Sequence, residues 1–286
     1  MRSAGPEAAP AIAVVVPTRD RPGSLRRCLA ALREQTCPVE IVVVDDGSVA
    51  ERAVAEAAAA ARARLIRRQG AGPAAARNAG VAEAGAEVVC FTDDDCEPAP
   101  DWARALAAPI LAGEAASTAG TTVVGEGASA ADRAWQAIVD HLQSRAAEPD
   151  SPSPGFAATA NLACSRRLLE ELPFDESFPA AAGEDRDWSA RAAARGMAPR
   201  SAPAALVVHR PGLGARAFLR QQYRYGRGAV RYRSAAAGRG LGSPAFYAGL
   251  LRGGFAVGPG AGMLVCAAQA ATAAGVAAER LSRRRR

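Results

Sequence analysis

The chain contains no lysine; all 35 of its basic residues are arginine. Asparagine occurs only as Asn78 and Asn161, and histidine only as His141 and His209. Missing lysine beside abundant alanine reads as a GC-rich coding bias, so arginine content alone says little about function. The same bias makes the rare residue types informative. The six cysteines (Cys28, Cys37, Cys90, Cys96, Cys164 and Cys266) show no paired C-x-x-C spacing, which argues against a zinc site or a disulfide framework. The opening MRSAGPEAAP has no apolar stretch of leader type, and with the cysteine pattern this gives the expectation of a cytoplasmic protein with reduced thiols. No G-x-G-x-x-G follows the first apolar run, which excludes the dinucleotide-binding turn. Internal repeats are also lacking.

What is present describes a globular protein. Its 286 residues are 49% hydrophobic and 22% charged, enough for one large domain with an appendage. The net charge of +6 is concentrated after Pro199, where residues 210–239 are rich in arginine and the sequence closes Arg283-Arg284-Arg285-Arg286. That asymmetry suits an anionic membrane surface, an anionic substrate or a solvated face. No nucleic-acid-binding signature accompanies it, so nucleic acid is not an expected partner.

Along the chain, Ala11–Pro17 is an unbroken apolar run of buried-strand type. The turn Thr18–Gly23 leads to a helix over Ser24–Glu34, with Leu25, Leu29 and Leu32 at helical spacing. A second strand, Val39–Val44, runs into Asp45-Asp46-Gly47-Ser48. Ala50–Ala63 reads as a helix, Arg64–Arg67 as a short strand, Ala74–Ala84 as a helix and Glu87–Thr92 as a buried strand ending in Asp93-Asp94-Asp95. Such alternation predicts a mostly parallel α/β sheet with helices on both faces. Ligands bind outside the carboxyl ends of such strands, and both acidic clusters fall there.

After Asp101 the pattern is mixed: helices over Asp101–Leu111, Ala130–Ala146, Arg166–Glu171 and Glu184–Arg195, and strands over Thr118–Val124 and Ala204–His209, with Phe156–Ser165 extended and Glu148–Gly155 a Pro/Ser-rich loop. Gly253–Ala278 carries no charge and is long enough to cross a bilayer, yet it is rich in alanine and glycine and is interrupted by Gly258-Pro259-Gly260. Spanning, lying in the interface, and packing as a helical hairpin on the main domain all remain open.

Three adjacent carboxylates at a strand end repel one another unless a counter-charge balances them. A bound Mg²⁺ or Mn²⁺ resolves that crowding through hard oxygen ligands, whereas an isolated acidic turn needs no metal at all. Similarly, the acids that open GEDRDWSAR are favourable at a helix N-terminus in their own right.

The order of segments decides between these readings. VVVPTRDRPGSLRRCLAAL, IVVVDDGS, GPAAARNAG, VVCFTDDDCEP and GEDRDWSARAAARG together resemble the family 2 glycosyltransferases, with their nucleotide-sugar-binding GT-A fold, over roughly Ala11 to His209. The resemblance implies transfer of a sugar, with inversion, from a nucleotide-diphosphate donor to a saccharide or polyprenyl-linked acceptor. It implies a GT-A catalytic domain over 11–210, a disordered start over 1–10, and a basic, helical, membrane-associating extension over 211–286. Pro17, Thr18 and Arg19 then line the base pocket, Asp46 contacts base or ribose with Asp45 alongside, and Arg77 and Asn78 reach toward the nucleotide. In the D-x-D-type motif, Asp93 holds the ribose, Asp94 lies near the sugar, and Asp95 binds the Mg²⁺ or Mn²⁺. Asp185 is the expected general base with Glu184 beside it, Asn161 and Trp188 belong to the acceptor side, and His209 is a second metal ligand. FLRQQYRYGRGAVRYR resembles the aromatic, basic stretch that follows the catalytic domain in membrane-linked members, which implies a place on the inner face of the cell membrane.

A nucleotidylyltransferase is disfavoured because the first turn, PTRDRPGS, is not glycine-rich. A non-catalytic nucleotide-sugar-binding subunit is the alternative, opposed by the intact Asp93, Asp95 and Asp185. The sugar, the base and the acceptor depend on loops such as Gly113–Gly127 and Glu148–Phe156, which carry no generic signature.

Overall fold

A computed structural model describes residues 10–146, 156–178, 183–235 and 243–284. The expectations placed on residues 1–9, on the loop 148–155 and on the last two arginines lie outside the described residues. Among the described residues, eight strands form one sheet in the order β3-β2-β1-β4-β7-β6-β8-β5.

Strand β1 (Ile12–Thr18) is apolar without a break because both of its faces are covered. Ile12, Val14 and Val16 enter one core, while Ala13 and Val15 enter the other. Strand β2 (Glu40–Asp45) repeats the division, with Ile41 and Val43 on the first side and Val42 and Val44 on the second. This period of two places a hydrophobic layer on each face. Strands β3 (Arg64–Arg67) and β4 (Val88–Phe91) flank this pair in parallel.

Helices α1 (Pro22–Arg33) and α2 (Glu51–Ala60) cover the first face, and α3 (Pro73–Glu83) covers the second. Helix α3 sits hard against the sheet because Gly80 has no side chain: a Cβ there would lie 2.4 Å from Val15 Cγ1. The close approach fixes the preceding turn of α3, which carries Arg77, at the edge of the strand ends. Helix α1 begins at Pro22, two residues before the expected start, since proline suits a first helical turn whose amide has no partner.

The sheet becomes mixed beyond β4. Strand β7 (Leu162–Ser165) runs antiparallel to β4 and to β6 (Ser117–Val124), and β6 pairs in parallel with β8 (Arg200–His209). Only the second half of Phe156–Ser165 is a strand; Thr159–Asn161 forms a single 3-10 turn. Strand β8 begins four residues earlier than expected and runs through Pro203, where the register with β6 shifts between Ala119 and Thr121. Proline lacks a ladder donor, so it is accommodated at that irregularity. An unexpected strand, β5 (Cys96–Pro98), pairs antiparallel with the end of β8 and sets Cys96 opposite His209. Helices α4 (Trp102–Leu111), α6 (Arg166–Glu171) and α7 (Glu184–Ala193) complete the two-sided cover.

A third core is helical. Helix α5 (Ala130–Ala146) packs with α8 (Ala215–Ala235), α9 (Pro244–Ala256) and α10 (Pro259–Arg284) around Trp135, Ile138, Phe218, Leu250 and Val265. The uncharged run is therefore divided between two helices, and the second is by length and composition long and apolar enough to cross a membrane. The run breaks at Val257 and Gly258, and α10 returns against α9, with Gly262 against the Phe255 ring and Gly254 against Val265. Arg227 and Glu279 join α8 to α10 at 2.9 Å.

Candidate active site

The carboxyl ends of β1, β2 and β4 converge, as expected for ligand binding in such a sheet. Thr18, at the end of β1, donates its hydroxyl to Asp94 at 2.7 Å, drawing the first strand onto the acidic cluster. Arg21, just before α1, lies 2.7 Å from Asp95 and 3.3 Å from Asp94, so its guanidinium balances the crowded carboxylates. Burial and the neighbouring Asp95 charge push Asp94 up to about 7, opposed by Arg21 and Thr18. Burial also works against ionised Asp95, yet the hydrogen bond to His209 and the Arg21 charge more than offset it and hold that carboxyl low.

His209 reaches Asp95 because β5 pairs with β8. Its Nε2 lies 3.2 Å from Asp95 Oδ1, while the Trp135 ring is tilted over it at 4.3 Å. The ligand atoms of Asp95, Cys96 and His209 lie within 4.8 Å of one another. A carboxylate oxygen facing an imidazole nitrogen suits a divalent cation such as Mn²⁺, and Mg²⁺ would rest mainly on the carboxylate. Burial pushes the Cys96 thiol well up, and the carboxylate of Asp95 with the imidazole of His209 is the pair that best suits these harder ions.

Arg77 links the acidic cluster to α7. Its two terminal nitrogens lie 3.0 Å from Asp93 and 3.0 Å from Glu184, and it is buried. Burial opposes the guanidinium charge, but Asp93, Glu184 and Asp185 overcome that and raise its pKa. Arg77 thus holds strand end and helix start in one arrangement. Gly183, at φ 104°, turns the chain into α7 in the left-handed region that side chains disfavour. The next two residues, Glu184 and Asp185, stand at the helix N-terminus. Burial, and then the Glu184 charge, raise Asp185 to about 7.

Several expected donor or acceptor contacts turn inward instead. Asp45 is buried, accepting from the Ser48 amide at 2.9 Å, which shapes its own loop. Asp46 accepts from the amides of Ala71 and Gly72, both at 2.9 Å, and so fixes the start of α3. Asn78 does not reach the nucleotide side: it donates to the Phe174 carbonyl and to Glu176, and accepts from the Phe174 amide. Asn161 is buried beneath the site, taking the Trp102 indole proton and donating to the carbonyls of Thr121 and Ala205. Trp188 is wholly buried, bonded to the Leu172 carbonyl and packed near Phe174, so it forms no acceptor wall. Arg19 remains at the surface by the Gly70 loop, and Pro17 is half-buried at the end of β1.

A cavity of about 470 Å³ opens between this machinery and the helical core. Arg77, Asp93, Glu184 and Asp185 line one part, and Trp135, Gln222 and Tyr225 line another. Sequence reasoning did not single out Arg21, Trp135, Gln222 or Tyr225. The only available signal was the placement of Arg21 immediately before a helix-starting proline.

Known proteins resemble the chain in sequence and in fold. The glycosyltransferase AglE of Haloferax volcanii is 26% identical over 238 residues, 78% of this chain and 74% of that protein. The pre-mycofactocin glycosyltransferase of Mycobacterium tuberculosis is 30% identical over 204 residues, 69% of this chain but only 42% of that longer protein. Among solved structures, the mannosyltransferase of Pyrobaculum calidifontis in complex with GDP-Man and Mn²⁺ superposes with a TM-score of 0.58 at 24% identity, covering 94% of this chain and 76% of that one. Glucosyl-3-phosphoglycerate synthase of Mycobacterium tuberculosis gives a TM-score of 0.57 at 21% identity, covering 83% of this chain and 85% of that one. These likenesses give the fold as GT-A. The glycosyl transferase family 2 model matches residues 13–172, more than half of the chain, and the chain belongs to that family.

Proposed function

We propose that the protein transfers a sugar, with inversion, from a nucleoside-diphosphate sugar to an acceptor hydroxyl, using Asp185 as general base and a divalent cation held by Asp95 and His209. The observation that carries the reading is Asp185 itself: a carboxyl raised to about 7, on the wall of a cavity shared with Asp93 of the acidic cluster. A base poised near the working pH takes a proton efficiently as the hydroxyl attacks. Arg77, gripped by Asp93 and Glu184, keeps Asp185 in register with the donor end. Thr18 and Arg21 hold Asp94 and Asp95 in place. Asp95 and His209 would hold the cation, which would supply charge neutralisation for the departing diphosphate. GDP-Man and Mn²⁺ in the Pyrobaculum complex support a divalent cation beside a nucleotide-sugar donor.

The test is thermal. UDP, GDP and other nucleoside diphosphates, each with and without Mn²⁺, should identify one nucleotide that raises Tm only with the metal, by the linkage of binding to folding. A panel of the matching nucleotide sugars then gives the donor by its hydrolysis. If no nucleotide shifts Tm with either Mn²⁺ or Mg²⁺, the donor reading fails.

The same reading includes docking on the inner face of the cell membrane. Helix α10 contains an apolar window of mean hydropathy 1.5, of which only 28% is buried. Phe255, Val257 and Met263 are exposed near the α9–α10 turn, and Arg216, Arg220 and Arg224 form an exposed stripe at four-residue spacing on α8. Each basic residue at an anionic surface contributes about 1 kcal/mol, so the stripe and the apolar turn act together. The protein should float with phosphatidylglycerol vesicles and not with phosphatidylcholine ones. Changing the three arginines to glutamate should remove most of that binding. Equal recovery on both vesicles would point to apolar insertion alone, and no recovery on either would end the docking idea.

A further inference from the structure

The cavity changes character from one end to the other. Carboxylates and guanidiniums line it beside Asp185, while Ile138, Val139, Leu142, Phe246 and Leu250 give it, among the described residues, an apolar portion. These apolar side chains come from α5 and α9, so the helical core supplies half of a site whose chemistry lies on the sheet.

The charges at the polar end favour a neutral guest. Among the described residues, Asp93, Glu184 and Asp185 line this end beside Arg77 and Arg186, Arg77 is already engaged by two of them, and Arg186 lies over the Phe156 ring. The described carboxylates at this end disfavour a phosphate and accept hydrogen bonds from a neutral hydroxyl. Gln222 adds a polar group to this lining. It lines the cavity and is only 4% exposed, and its Nε2 is a buried donor with no hydrogen-bond partner. Leaving such a donor unsatisfied is unfavourable, so an oxygen of the guest completes it.

We infer that this cavity selects a neutral, amphipathic small-molecule acceptor, with one hydroxyl at Asp185, a second oxygen at Gln222, and an aliphatic or aromatic body against Ile138, Leu142, Phe246 and Leu250. The assignment rests on the glycosyl-transfer reading above and narrows it: the acceptor is an apolar alcohol or its glycoside, neither the end of a bare saccharide nor a lipid phosphate. At about 470 Å³ the cavity lies within the range of pockets that enclose such molecules.

Binding to the full-length protein tests it through tryptophan fluorescence, since Trp135 lines the cavity whereas Trp102 and Trp188 are buried elsewhere. The probes are octyl β-glucoside below its micelle concentration against methyl β-glucoside, and farnesol against farnesyl phosphate. Two buried methylenes already correspond to about tenfold in affinity, so the octyl glycoside should bind at least about tenfold more tightly than the methyl one. Farnesol should likewise outbind its phosphate. Leu250→Arg should abolish the fluorescence response, and the milder Gln222→Met should weaken octyl glucoside about tenfold, the loss expected where a buried donor's partner is removed. Equal binding of methyl and octyl glycosides, a preference for farnesyl phosphate, or a response untouched by Gln222→Met and Leu250→Arg would each overturn the inference. The metal-dependent Tm shift with nucleotide is read on the same samples. If it persists while amphiphile binding fails, only the acceptor inference falls; if it is absent while the amphiphiles bind, the donor reading falls.

Discussion

Asp185→Asn should lower transfer by about 10²- to 10⁴-fold while leaving nucleotide affinity close to that of the parent protein. Asparagine preserves shape and the hydrogen bond that Asp185 Oδ1 accepts from the Arg186 amide at 2.7 Å, so the start of α7 survives. What disappears is the ability to take a proton. The pH dependence gives a second readout with a defined sign. A base works only when ionised, and burial with the Glu184 charge raises Asp185 to about 7. kcat/KM should therefore climb with pH to a midpoint near that value and then level off. Glu184→Gln removes the neighbouring charge, so its midpoint should move to lower pH even though the Arg77 contact is weakened. A profile already flat above about pH 5, where an unperturbed carboxylate is ionised, would show that another group is the base. Loss of nucleotide affinity in Asp185→Asn would instead move this residue to the donor end.

The first half of the sheet was legible because its chemistry is local. Runs such as Val14–Val16 and Val42–Val44 are continuous only where both faces are buried, and the aspartates that follow mark the strand ends. Strand β5 was not legible, since three residues straight after an acidic cluster have no periodicity to read. Its consequence, His209 opposite Cys96, depends on a partner more than a hundred residues away. Rarity draws attention to Asn78 and Asn161, but the pattern does not say which groups they serve. Both satisfy buried backbone, Asn161 across β6 and β8 and Asn78 at Phe174. Arg21 was hidden by the opposite circumstance: in a chain whose basic residues are all arginine, one more attracts no notice. The cavity shows the same limit. Ala130–Ala146 reads only as a helix and residues 244–252 carry no reading of their own, and only the tertiary fold brings α5 and α9 to the cavity that Asp185 also lines.

Asp95→Ala should remove the metal dependence of nucleotide binding and reduce transfer by on the order of 10³-fold, the equivalent of several kcal/mol of lost charge stabilisation. Asp95 is the one side chain placed between Arg21 on Oδ2 and His209 on Oδ1, at 2.7 and 3.2 Å. With alanine there, His209 alone is left of the pair that suits a divalent cation. The fold should persist, because the Arg210 amide bonds to the Asp95 main-chain carbonyl and β5–β8 pairing is carried by backbone. Arg21 keeps its contact with Asp94, whose own carboxyl should become easier to ionise once the adjacent charge is gone. Nucleotide should then shift Tm by the same amount with and without Mn²⁺, while the protein alone melts near the parent value. His209→Gln separates the two ligands: it leaves the carboxylate, so Mg²⁺ should support more of the remaining activity than Mn²⁺, since imidazole matters less to the harder ion. Should Asp95→Ala retain a full Mn²⁺-dependent shift, the cation is held elsewhere and the pairing of Asp95 with His209 serves only to anchor β8.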